Sequence, residues 1–173
     1  MTDNFYSASA KGYDELYGEE QNKKLELITE ILRKKKINIG GKVQKIIDVG
    51  CGSGISTKYF DCAAGIDPCK ELLEIAGKKF QEITFLEASA ENIPFEDNEF
   101  DYSVSLTAAQ NFSDMKRAVE EMNRVSKKGI LVTILKNSGK REGLKKNLEK
   151  IRHVSLIEEE CDKDCIFVLV KTL

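Results

Sequence analysis

Short apolar runs alternate along the chain with longer segments in which apolar residues recur every three or four positions, the spacing of an amphipathic helix. The short runs predict strands at 43–49, 63–67, 83–86, 101–106, 129–135, 154–158 and 165–171. The longer segments predict helices at 23–36, 53–60, 68–80, 113–125 and 141–151, with Pro68 as a first helical residue and Ser113 as an N-cap. Residues 1–20 show neither pattern, so the N-terminal 1–22 are expected to form an irregular arm and a candidate lid.

Five strand–helix units followed by two strands around a short turn predict an α/β fold in a single domain over 1–173. The sheet should be mostly parallel, with helices on both faces and a C-terminal antiparallel hairpin. In open sheets of this kind ligands bind at the carboxyl ends of the strands, so functional residues are expected directly after them.

Composition narrows the class of protein. The 173 residues are 41% hydrophobic and 32% charged, an ordinary balance for an ordered domain. A net charge of −2 disfavours nucleic-acid binding through a global positive field, and no apolar run approaches the ~20 residues that span a bilayer. Five cysteines without a recognisable signal peptide indicate reduced thiols and a cytoplasmic location.

No metal site is expected. His153 is the single histidine, and it is read as structural. Cys161 and Cys165 would face each other across the hairpin, but two thiols alone do not make a zinc site.

Two motifs follow the first two strands. Residues 48–54 read Asp-Val-Gly-Cys-Gly-Ser-Gly, where the glycines permit a tight turn and a close approach of ligand to backbone. Ile55 breaks the dinucleotide pattern G-x-G-x-x-G. Asp67 ends the second strand, where a carboxylate can accept both hydroxyls of a ribose.

These residues resemble the class I S-adenosylmethionine-dependent methyltransferases. Residues 46–54 are similar to that family's first motif, 65–68 to its second-strand motif, and 90–95 with 100–101 to its third- and fourth-strand region. The resemblance covers about 40–136, and it implies S-adenosylmethionine as cofactor and a Rossmann-like seven-stranded sheet in the order 3-2-1-4-5-7-6.

The resemblance also implies site residues. Gly50, Cys51 and Gly52 would line the methionine end of the cofactor, and the stretch 89–91 would edge the adenine. Leu106 and Thr107 would lie beside the sulfonium. Ser89 stands where the family often has an aspartate. The cofactor-binding residues implied are Asp48, Gly50, Cys51, Gly52, Asp67, Pro68, Ser89, Ala90, Glu91, Leu106 and, in the arm that often covers the cofactor in relatives, Tyr13. Tyr6 and Tyr13 have core or surface packing as the alternative role.

Residues 106–111, Leu-Thr-Ala-Ala-Gln-Asn, lie where the family has its substrate-facing motif, so the resemblance implies that they face the methyl acceptor. Thr107, Gln110 and Asn111 are the candidate catalytic residues, although in-line transfer from a sulfonium needs chiefly positioning. The segment is not Asn-Pro-Pro-Tyr. It is similar to the loop of the eukaryotic small-subunit rRNA guanine-N7 methyltransferase, which binds a small zinc-binding activator, but Asn111 replaces an aromatic residue. An RNA or protein acceptor of the translation machinery and such an activator are therefore expected.

Alternatives stay open. The chain could methylate a small molecule, bind the cofactor as a non-catalytic subunit, or be a nicotinamide dehydrogenase. Residues 136–152 contain seven basic and two acidic residues, which could contact phosphates or form a solvated helix face, whereas 91–101 contain five acids and no base.

Overall fold

The seven strands form one sheet in the predicted order. The computed structural model describes residues 3–172, with side chains from residue 19 onward. The sheet order is β3-β2-β1-β4-β5-β7-β6. Strands β1 to β5 are parallel, and β7 is antiparallel to both β5 and β6. The strands are β1 (Ile46–Val49), β2 (Ala64–Asp67), β3 (Thr84–Glu87), β4 (Phe100–Ser105), β5 (Ser126–Leu135), β6 (Val154–Cys161) and β7 (Asp164–Lys171).

Helices cover both faces, as predicted. They are α1 (Asp3–Lys34), α2 (Ile55–Tyr59), α3 (Lys70–Lys79), α4 (Met115–Val125) and α5 (Arg141–Glu149), with a 3-10 turn at Ala109–Asn111. One apolar cluster joins Met122 of α4 and Leu144 of α5 to the sheet, and the other joins Leu25 and Ile28 of α1 to the opposite face. Both faces of the central strands are thus buried, as a parallel sheet requires.

The N-terminal expectation was wrong. The backbone is helical from Asp3, so α1 begins some twenty residues before the predicted start at 23. Its apolar stripe is clear only from Leu25 onward, and the preceding polar residues gave no periodic signal. No proline precedes Pro68, so nothing in the sequence breaks the helix sharply. The predicted roles of Tyr6 and Tyr13 lie outside the described side chains.

Several boundaries differ from the predictions for local reasons. β1 starts at Ile46, because Val43 is 99% exposed and lies outside the sheet. The N-cap of α4 is Asp114, whose Oδ1 accepts from Arg117 N, and not Ser113. Pro68 precedes the helix, since Cys69 is the N-cap of α3.

The C-terminal hairpin was predicted correctly, but not the pairing of its thiols. Cys161 pairs with Asp164, and Cys165 pairs with Glu160. All five cysteines are free thiols. Across the described residues, none of the helices has the length and apolarity that a bilayer crossing demands.

Candidate functional site

The glycine loop after β1 takes backbone conformations that favour glycine. Gly50, Gly52 and Gly54 have φ of 77°, 54° and 85°. The N–H groups of Gly50 and Cys51 both donate to Ile66 O, at 2.8 and 3.0 Å, which fixes the loop on β2. A Cβ on Gly50 would lie 2.5 Å from the Cβ of Ala108, so a larger residue would push the loop away from the segment after β4.

Asp67 links the loop to the start of α3. Its Oδ2 accepts from Gly52 N at 2.9 Å, and its Oδ1 accepts from Cys69 N at 2.8 Å. The side chain is nearly buried, and burial raises the pKa of the carboxyl. Each carboxylate oxygen has a further lone pair, so Asp67 can also accept hydrogen bonds from the hydroxyl groups of a ribose.

Asp48 is the second buried carboxylate of the site. Its Oδ2 accepts from Ser56 Oγ at 2.6 Å and Thr57 Oγ1 at 2.8 Å. Its Oδ1 is buried without a hydrogen-bond partner in the described part of the chain. Burial raises the pKa of Asp48 to about 6, against the two hydroxyl donors, which lower it. A buried carboxylate oxygen that lacks a donor, beneath a glycine loop, fits a cationic ligand such as the ammonium group of an amino-acid moiety.

The segment after β3 is tied to both neighbours. Ala88 N donates to Asp67 O at 3.2 Å, and Asn92 N donates to Ser89 O at the same distance. Glu91 Oε1 accepts from Ser113 N, Ser113 Oγ and Asp114 N at 2.8–3.1 Å. Burial opposes ionisation of Glu91, but these donors outweigh it and hold its pKa below the usual value.

The Glu91 carboxylate therefore faces the start of α4. The prediction that residues 89–91 edge the adenine stays a prediction. For Glu91 it concerns the backbone, because the carboxylate is used at the start of α4.

Arg124 and Glu121 hold the rest of this segment against the end of α4, and we call these contacts the Arg124 clamp. Arg124 donates to Ile93 O at 2.9 Å and to Phe95 O at 2.8 Å, and it pairs with Glu121 at 2.7 Å and with Asp97 at 2.8 Å. Glu121, which is buried, also accepts from Ile93 N at 3.0 Å. Hydrogen bonds to both carboxylates raise the pKa of Arg124.

Replacing Arg124 with methionine should therefore loosen residues 91–97. The variant keeps the aliphatic stem but leaves the buried Glu121 carboxylate with only the more distant Arg117, at 3.8 Å, which should lower the free energy of unfolding by about 2–3 kcal/mol. Denaturant unfolding and amide exchange of Ile93 measure the effect. Lys116→Met, which removes an exposed pair with Glu120 on the same helix, is the matched control. Equal exchange of Ile93 in both variants would contradict the clamp.

The segment after β4 is held at every polar group of Thr107. The residue is left-handed, with φ of 55°. Its N–H donates to Thr133 Oγ1 at 2.8 Å, its carbonyl accepts from Gln110 Nε2 at 2.5 Å, and its Oγ1 accepts from Lys24 Nζ at 2.9 Å. Gln110 Oε1 is buried with no partner among the described residues. Asn111 closes the 3-10 turn by donating its N–H to Ala108 O at 2.9 Å.

The structure thus brings most of the predicted residues together at one edge of the sheet, the carboxyl edge, defined by the ends of β1 to β5. Asp67 joins the loops after β1 and β2, and Ala108 meets Gly50. Sequence reasoning missed Ser56, Thr57 and Thr133, because single hydroxyls inside helices and strands carry no distinctive signal.

His153 lies at the other end of the sheet. It precedes β6, which runs parallel to β5, so His153 is at the amino edge, away from the candidate residues. Among the described residues no cluster of three or more histidine, cysteine or acidic side chains is arranged to hold a metal ion.

Three of the seven basic side chains in residues 136–152 pair with acids of β6. Arg141 and Lys145 pair with Glu158 at 3.0 and 2.7 Å, and Arg141 and Lys136 pair with Glu160 at 3.0 and 3.3 Å. These acids on β6 lower the helix's capacity to contact phosphates.

A sheet in this order, with a glycine loop between two acidic strand ends, is the architecture of a class I methyltransferase. A profile described as a methyltransferase domain matches residues 47–134, about half of the chain, and the chain belongs to that family of S-adenosylmethionine-dependent enzymes. Membership replaces the dehydrogenase alternative, and the buried Asp48 Oδ1 and the Asp67 carboxylate fit the family's cofactor.

Two relatives and one solved structure are similar to the chain. The chain is 35% identical to protein MJ1252 of Methanocaldococcus jannaschii, over 77% of this chain and 51% of that one. It is 29% identical to the ubiquinone/menaquinone biosynthesis C-methyltransferase UbiE of Campylobacter jejuni, over 57% and 47%. A methyltransferase from Haloferax volcanii, solved in complex with the Trm112 methyltransferase activator, superposes with a TM-score of 0.71 at 14% identity, covering 99% of this chain and 98% of the other.

The chain spans about half the length of the relatives it matches in sequence. The solved structure shares the fold.

Proposed function

We propose that the protein transfers a methyl group from S-adenosylmethionine to an acceptor bound at the carboxyl edge. The observation that carries the proposal is the cradle formed by the glycine loop, Asp67 and the unpartnered Asp48 Oδ1. When bound, S-adenosylmethionine would supply a methyl group on a sulfonium, with the thioether of S-adenosylhomocysteine as the good leaving group.

The chain's own residues bind and orient. Asp67, which holds Gly52, would accept hydrogen bonds from the ribose hydroxyls, and Asp48 would accept one from the ammonium of the methionine end. Leu106, which is buried, excludes water beside the reacting centre. The clamped segment 91–97 keeps the adenine side in place. Catalysis then rests on alignment of donor and acceptor.

Residues 106–111, which we call the acceptor segment, favour a nucleophile that carries its own lone pair. Thr107 and Gln110 have neutral polar side chains, and the single histidine lies at the amino edge. We therefore assign Thr107, Gln110 and Asn111 to orientation of the acceptor, with the Gln110 Oε1 atom available to accept a hydrogen bond.

For the acceptor we favour RNA or protein of the translation machinery, with a small zinc-binding activator as partner. The similarity of residues 106–111 to a rRNA methyltransferase loop and the likeness to a Trm112-bound methyltransferase support this choice. The likeness to UbiE supports a small-molecule acceptor as the second candidate. A cytoplasmic location belongs to the same proposal and agrees with five free thiols.

The N-terminal half of α1 is proposed as the lid. Glu20 pairs with Lys163 in the hairpin turn at 2.8 Å, so α1 passes the carboxyl edge near this residue. The helical residues before it, from Asp3, extend α1 by about 25 Å at 1.5 Å per residue. Tyr13 and Tyr6 belong to this part of α1, and their contacts with the cofactor remain predictions.

The proposal predicts micromolar binding of S-adenosylhomocysteine to the purified chain. Calorimetric titration measures it, and absence of heat and of any thermal shift at millimolar ligand would overturn the cofactor assignment.

The acceptor proposal predicts methyl label in a macromolecular fraction. The chain is incubated with S-adenosyl[methyl-³H]methionine and a cell extract, with and without a co-expressed Trm112-type subunit. Label that is sensitive to nuclease or protease, and at least tenfold higher with the subunit, supports the translation-related assignment. Label in the small-molecule fraction would support the UbiE-like alternative, and binding without label would favour the non-catalytic subunit.

A further inference from the structure

Three polar side chains from distant parts of the chain meet beside the acceptor segment. Lys24 Nζ, from α1, lies 2.7 Å from Oδ2 of Asp164 and donates to Oγ1 of Thr107 at 2.9 Å. Asp164 is the first residue of β7 and is completely buried, while the Lys24 side chain is 14% exposed. A single ammonium thus bridges the N-terminal helix, the hairpin and the segment after β4.

The Thr107 backbone conformation needs such support. A left-handed φ of 55° is unfavourable for a β-branched residue and persists where the surroundings determine it. Thr133 of β5 and Gln110 of the 3-10 turn hold the N–H and the carbonyl of Thr107. Lys24 holds the hydroxyl and is the one of the three that belongs to the N-terminal helix α1.

The ammonium is kept in place by its charge partner. Because Asp164 is buried, its carboxylate is poorly solvated and favours a cation close by. The pair with Asp164 therefore orients Nζ, and the oriented Nζ in turn holds the Thr107 hydroxyl.

We propose that Lys24 is a positioning residue for methyl transfer: through Thr107 it sets the acceptor segment, and it makes that segment dependent on the docking of α1. This inference rests on the proposed function. It assigns Lys24 to the acceptor side, so its loss should disturb the acceptor segment and turnover while the cofactor cradle of Asp48 and Asp67 keeps its affinity.

The test compares three variants with the wild type. Lys24→Met removes the ammonium. Lys24→Met with Asp164→Asn removes it without leaving a buried unpaired charge, so it reports on Thr107 even if the single variant fails to fold. Lys163→Gln breaks the exposed pair with Glu20 between the same helix and hairpin, and it is the matched control.

Amide hydrogen exchange and the chemical shift of Thr107 N–H, resolved by ¹⁵N NMR, give the main readout. Both Lys24 variants should exchange this amide at least tenfold faster than wild type, with a shifted resonance, and the control should stay within twofold. S-adenosylhomocysteine affinity should stay within threefold throughout, and methyl label transferred to the extract should fall at least tenfold in the Lys24 variants.

Three results would overturn the inference: an unchanged Thr107 amide in the Lys24 variants, recovery of that amide in the double variant, or an equal effect of Lys163→Gln. Recovery would mean that Lys24 only neutralises Asp164. Failure of the wild type to bind S-adenosylhomocysteine counts against the proposed function instead, because the Thr107 exchange is measured without cofactor or acceptor.

Discussion

Replacing Asp67 with alanine should weaken S-adenosylhomocysteine binding by about one to two orders of magnitude. The variant loses the acceptor of the ribose hydroxyls, and hydrogen bonds to a charged group contribute about 1.5–3 kcal/mol. It also releases the N–H groups of Gly52 and Cys69, which Asp67 now holds. The loop then loses preorganisation in addition to the direct contacts.

Calorimetric titration at a temperature where both proteins are folded measures the loss. Glu74→Ala is the control, because it removes an exposed carboxylate from the helix that follows Asp67. Unchanged affinity in Asp67→Ala would show that the ribose lies elsewhere.

Replacing Asp48 with asparagine should change the pH dependence of stability. The folded-state pKa of about 6 lies above the ordinary value of 3.8, so the buried group stays protonated in the folded protein over a range where the unfolded chain has released its proton. The wild type therefore loses stability as pH rises from about 4 to about 6, by up to about 3 kcal/mol, and shows no further change from this group above that range. The asparagine side chain of the variant does not titrate.

The difference in unfolding free energy between variant and wild type isolates this effect from other carboxyls. It should shift in favour of the variant between about pH 4 and about pH 6.5 and then level off. Denaturant unfolding at several pH values measures it, and a difference that stays constant across the window would show that Asp48 is ionised throughout in the folded protein.

The affinity for S-adenosylhomocysteine should change with pH in the opposite direction to the stability. An ammonium beside Oδ1 favours the ionised Asp48, so S-adenosylhomocysteine binds with proton release and its affinity falls as pH drops below about 6. Asp48→Asn should bind more weakly at about pH 8, where the wild-type carboxyl is ionised, and should lose this pH dependence. Titrations in buffers of different ionisation enthalpy count the released protons.

The sheet and the glycine loop could be predicted because their signals are local. Continuous apolar runs such as Ile46–Val49 specify buried parallel strands, and a glycine cluster at a strand end specifies a turn. The family motifs then implied the strand order. The start of α1 could not be predicted, since the polar residues before Leu25 have no periodic pattern to distinguish a helix from an irregular arm.

The roles of charged side chains were harder to predict, because their partners are set by the sheet order. The adenine-edge role of Glu91 stays a prediction, but the sequence did not indicate that its carboxylate holds the start of α4, 22 positions away along the chain. Lys24 carries no motif, and its partners Thr107 and Asp164 become neighbours only when β7 lies beside β5. Sequence shows that such residues are polar but not which polar group they meet.

The bridge made by Lys24 also bears on the order of events during synthesis. Asp164 is synthesised 140 positions after Lys24, and β7 inserts between β5 and β6. Until that strand arrives, the ammonium lacks its buried partner and the left-handed Thr107 lacks its outer support. Contacts of such long sequence separation form slowly, so the acceptor side is completed among the last steps of folding.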